Sequence, residues 1–95
     1  MANYLVHHTK KKQILARKEA ELRRLIKADA SSDRLSAAAE RTREARIRVL
    51  RVQRAMVAPK DDADIVYERI DRAIERLAEK TTDSIVAEFR FDFKF

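Results

Sequence analysis

Along residues 33–58, Leu35, Ala38, Thr42, Ala45, Val49, Val52 and Met56 return at alternating steps of three and four. That is a heptad seam, and it predicts a long helix. A second apolar facet, Ala39, Leu50 and Val57 with Ile47 beyond it, lies about 100° round the same helix. Two facets predict two neighbours, so Ile47, Leu50 and Val57 are candidate interface residues toward a third helix or another subunit. Ser31, Ser32 or Asp33 can cap the start, and Pro59 stops the end.

Upstream, Ile14, Leu15, Leu22, Leu25 and Ile26 mark a first helix over 10–28, joined to the second by Ala30-Ser31-Ser32-Asp33. The two form an antiparallel hairpin. Downstream, Val66, Ile70, Ala73 and Leu77, flanked by Tyr67 and Ile74, predict a shorter third helix over 62–79. Residues 3–9 fit either a short strand or the first turns of the first helix. Strand is favoured, because it would partner the other end of the chain.

That other end changes period. From Ile85 to Phe95 apolar and polar residues alternate, with Ile85, Ala87, Phe89, Phe91, Phe93 and Phe95 on one side and Glu88, Arg90, Asp92 and Lys94 on the other. Period two predicts an amphipathic β-strand. The fold class expected is therefore mainly α: a long helical hairpin, a third helix and a C-terminal strand, in one small domain spanning 1–95. A strand with few partners at home recruits other chains, so Phe89, Phe91, Phe93 and Phe95 are the expected assembly strand. The partner would be a second copy, in a homo-dimer or higher oligomer, or another protein by strand addition. The alternation of Phe89 to Phe95 also resembles the last strand of outer-membrane β-barrel proteins. A barrel takes at least eight alternating strands, and one or two are found here after charged helices.

Composition narrows the chemistry. The 95 residues contain no Gly, no Cys and one Pro. Glycine-rich phosphate loops, thiolate metal sites and cysteine nucleophiles are thereby excluded. Apolar runs are short, no stretch has signal-peptide character, and the expectation is a cytoplasmic protein without a membrane span. His7 and His8 are adjacent and diverge on either a strand or a helix, so no metal is expected to bind them. The carboxylates of the third helix alternate with arginines as a solvated charged face, and the serines lack a nucleophile setting. No cofactor is expected, and the chain is read as non-enzymatic.

Charge supplies the second functional reading. The net charge is +6, with fifteen Lys/Arg against six Asp/Glu before residue 58 and seven against ten after it. Arg34, Arg41 and Arg48 recur every seven residues beside the helix-2 seam, and Arg51 extends that side. Arginine grips phosphate bidentately, so these four are candidate phosphate-binding residues of a dimeric nucleic-acid binder. Against this, Asp64, Glu68, Asp71 and Glu75 of helix 3 offer a matching acidic stripe. If those acids neutralise the arginines, the chain reads instead as a homo-oligomeric interaction protein, the expectation preferred from sequence.

Overall fold

A computed structural model describes residues 4–91, all of whose regular structure is helical. The elements are α1 (Tyr4–Lys27), α2 (Ser32–Met56), α3 (Ala63–Glu79) and α4 (Thr82–Phe91). They form an elongated body of 48 × 26 × 25 Å. No described helix is long and apolar enough to cross a membrane.

α1 and α2 make the expected hairpin. The turn between them is a Schellman motif: Ala30 N–H donates to the Leu25 carbonyl and Asp29 N–H to that of Ile26. The residue that turns the chain is Asp29, at φ 54°. With no glycine in the chain, an aspartate takes this left-handed position, which it tolerates better than a branched residue does. Ser31 then accepts from Arg34 N–H at 3.4 Å and caps α2. The seam residues Leu35, Ala38, Thr42, Ala45 and Val49 are buried. The Thr42 hydroxyl, fully enclosed there, donates to the Ala38 carbonyl at 2.9 Å. α2 ends before Pro59, with Val57 already extended.

The second facet of α2 is taken by helices of its own chain. α3 packs on α2 alone, and α4 packs on both α2 and α1. Arg43 reaches from α2 to the Ala78 and Lys80 carbonyls, filling acceptor sites that the end of α3 leaves open. Ser36 and Thr82 hydroxyls meet at 2.7 Å.

Two expectations are overturned. The predicted C-terminal strand is the helix α4, started by Thr81, whose hydroxyl accepts from Ser84 N–H at 3.1 Å. Its alternation hid a helical pattern: Ile85, Val86 and Phe89 share one face and are buried with Leu22, Leu35, Ala38 and Ala39. Phe91, which the strand placed beside Phe89, is 72% exposed. Phe93 and Phe95 lie outside the described residues. The short N-terminal strand is likewise replaced, since α1 begins at Tyr4 and runs unbroken through Thr9. A helix satisfies its own backbone groups, whereas a two-stranded ribbon leaves outer edges open. Assembly through a described phenylalanine strand thus has no structural basis.

Candidate nucleic-acid interface

Position on α2 decides which of its arginines remain available. Three directions around that helix are occupied or open. Toward α1 lie the seam residues. Toward α3 and α4 lie Ser36, Arg43, Arg46, Leu50 and Arg54. The remaining side carries Arg34, Ala37, Arg41, Glu44, Arg48 and Arg51, all exposed. Successive arginines at steps of seven drift only about 20° per step, so 34, 41 and 48 stay in line. From Arg34 to Arg51 the helix rises about 25 Å.

The acidic stripe of α3 does not reach this side. Asp71 pairs with Arg54, at 2.9 and 3.3 Å from its Nε and Nη2. Glu68 pairs with Arg72 on its own helix. The expected neutralisation of helix 2 by helix 3 therefore comes down, among the described residues, to the Arg54–Asp71 pair. The other arginines directed at α3 and α4 have separate duties: Arg43 holds the carbonyls of the α3 end, and Arg46 bridges Glu19 and Glu88.

The four sequence-predicted arginines fall into two adjoining hollows. Arg34 and Arg41 line the first, of about 350 Å³, with Arg24, Glu21, Leu25 and Ala37. Arg48 and Arg51 line the second with Glu44 and Ile47. Arg41 donates to Glu21 at 2.7 Å, and that hydrogen bond holds the Glu21 carboxyl below its usual range. The pair fixes the Arg41 guanidinium over the first hollow while leaving it 43% exposed. No side-chain partner engages the guanidiniums of Arg34, Arg48 or Arg51 among the described residues.

Arg24 is the member that the sequence reading missed. It lies on α1, ten residues before Arg34, and the tight turn at 28–31 folds the two to opposite walls of one hollow. Equal distance from a helical turn was the available signal. The candidate interface residues separate: Ile47 borders the second hollow, Leu50 faces α3 near Leu77, and the Val57 carbonyl accepts from the Tyr67 hydroxyl at 3.5 Å.

Other chemistry finds little support in the geometry. Gln53 donates its amide to His8 Nε2 at 3.2 Å. Among the described residues no three His, Cys, Asp or Glu side chains gather as metal ligands would. The Glu88 carboxyl, like that of Glu21, is drawn below its usual range, in this case first by its hydrogen bond to Lys80 and then by Arg46. A general acid needs the opposite shift. Comparison with known proteins finds no matching family, no matching curated protein and no matching solved structure.

Proposed function

We propose that this is a non-enzymatic protein that binds the phosphate backbone of a nucleic-acid duplex through the outer face of its helical hairpin. The observation carrying this reading is the exposed stripe Arg34–Arg41–Arg48–Arg51, in which Arg41 alone is ion-paired among the described residues, joined by Arg24 across the hairpin. Guanidiniums match phosphate oxygens bidentately, and such contacts position a protein without reading sequence.

The character of the face favours a duplex over other polyanions. A single strand is gripped by aromatic side chains on which bases stack, and the outer face of α2 has none. A membrane surface is entered by bulky apolar residues, whereas Ala37 and Ala55 are the exposed apolar positions on this side of α2. A rigid stripe about 25 Å long covers roughly seven base pairs at 3.4 Å each. The hairpin supplies stiffness: its buried seam of Leu35, Ala38, Thr42, Ala45 and Val49 keeps the arginines in register.

Fluorescence anisotropy with a labelled duplex of mixed sequence tests the reading. The full chain binds, and replacing Arg34, Arg41, Arg48 and Arg51 together by Ala weakens binding by at least about tenfold. Equal affinity for the quadruple variant, or tighter binding to phosphatidylserine vesicles than to the duplex, would sink it.

A further inference from the structure

On the side of α2 away from the arginine stripe, the helices leave a trough. α3 packs on α2 and not on α1, so α1 and α3 stand as separate walls with α2 between them. Leu15 is on one wall, Val49, Leu50 and Gln53 form the floor, and Leu77 is on the other wall, around a volume of about 240 Å³. The Tyr67–Val57 and Arg54–Asp71 bonds fix the rotation of α3. At that rotation Val66, Ile70 and Ala73 continue the Leu77 ridge at steps of four and three. Val66, Ile70, Ala73 and Leu77 are half-buried, and Leu77 is the member of the ridge that lines the trough.

The borders of the trough are basic. Arg46 lines it directly but is already paired with Glu19 and Glu88, so the free positive charge comes from residues farther out. Lys12 stands seven residues before Glu19 and so shares the flank of α1 that turns toward Arg46. Arg69 and Arg76, also seven apart and exposed, run along the solvent side of the Val66–Leu77 ridge. The acids Asp64, Glu68 and Glu75 follow Asp71 down the other flank of α3, away from the trough.

An apolar floor between two basic borders selects its occupant. We propose that the trough binds an acidic amphipathic helix of a partner protein, apolar side chains down on Leu15, Leu50 and Leu77 and carboxylates against Lys12, Arg69 and Arg76. Helix-in-groove recognition uses this arrangement, with anchors at i, i+3, i+4 and i+7. A second copy is a poor occupant, since each chain carries +6 and trough-to-trough contact would bring like borders together. The partner site and the arginine stripe lie on different sides of α2, so one chain can hold a helical partner and a duplex together.

The test uses the full chain and a fluorescein-labelled helical peptide of about 18 residues, long enough to span α3. Its heptads place Leu at a and d and Glu elsewhere; a second peptide has Lys for Glu. The Glu peptide binds saturably, and the Lys peptide binds at least about tenfold more weakly. Arg69→Glu with Arg76→Glu, both exposed and tolerant of change, reverses that preference. Leu50→Asp abolishes binding of the Glu peptide while circular dichroism shows the helices intact. Ala at Arg34, Arg41, Arg48 and Arg51 leaves peptide affinity unchanged. The proposal is overturned if neither peptide binds, if both bind equally, or if the quadruple Ala variant loses the peptide. It is overturned as well if light scattering without peptide gives a multiple of 11.1 kDa that Arg69→Glu with Arg76→Glu or Leu50→Asp returns to a monomer, the trough then being filled by a second copy.

Discussion

The guanidinium of Arg46 lies 5.2 Å from the centre of the Phe89 ring while its Nη atoms donate to Glu19 and Glu88. One side chain of α2 thereby ties α1 and α4 together. Arg23 approaches the same ring at 5.0 Å, so the most buried aromatic of α4 has two cations around it. Phe89 shares its buried cluster with Ala38 and Ala39, small residues that let a short helix come close.

Removing that ring is expected to be costly. Phe89→Ala should lower stability by about 3–5 kcal/mol, by lost burial and the cavity left behind. Phe91→Ala, at an exposed position, should change it by less than about 0.5 kcal/mol. Urea denaturation of both variants separates the helix from the strand, since a strand would make the two losses alike.

Glu88 links folding to acidity. Lys80 and Arg46 hold its carboxyl below the usual range in the folded chain, so the native state binds a proton less readily than the unfolded one. The stability this confers is present above the unfolded pKa and is lost as pH falls through the lower folded value. Glu88→Gln should lower the Tm near pH 7. The gap between variant and parent should close as pH drops below about 4. A gap of constant size from pH 7 to pH 3 would exclude the linkage.

Asp29 offers a simple stabilisation. At φ 54° it occupies a conformation in which a side chain is strained and glycine is not. Asp29→Gly should raise stability by up to about 1 kcal/mol, seen as a higher Tm with the helical spectrum unchanged. A lower Tm would mean that the aspartate makes a contribution greater than its backbone strain.

Duplex affinity should report the number of arginines in contact. Each phosphate neutralised contributes about 0.9 to the slope of log K against log salt. Removing Arg48 and Arg51 together should flatten that slope by roughly 2, whatever the base sequence. A slope unchanged by the pair would place the duplex elsewhere on the chain.

Much of this architecture is legible in the residues themselves. The α2 seam could be read because three heptads of Leu35 to Met56 leave no other period that fits, and Pro59 marks its end. The arginines at 34, 41 and 48 share that repeat, so their common face followed from the same arithmetic. Arg24 did not, because its place beside Arg34 depends on the turn at Asp29. Nor could the sequence say which arginines the acids of α3 would take. Rotation of α3 about its own axis, set by Tyr67 and Asp71 against α2, decides that.

The segment from Ile85 onward shows where a pattern stops being decisive. Alternating residues fall at i, i+2 and i+4, and i+4 is also one helical turn, so Ile85 and Phe89 suit either structure. Local composition determined that this stretch is amphipathic. Tertiary structure decided that its described part is a helix, because the hairpin offers a concave floor of Ala38, Ala39 and Leu22 but no strand edge. Against such a floor a helix buries Ile85, Val86 and Phe89 with every interior backbone group paired, while a strand would leave its own unpaired.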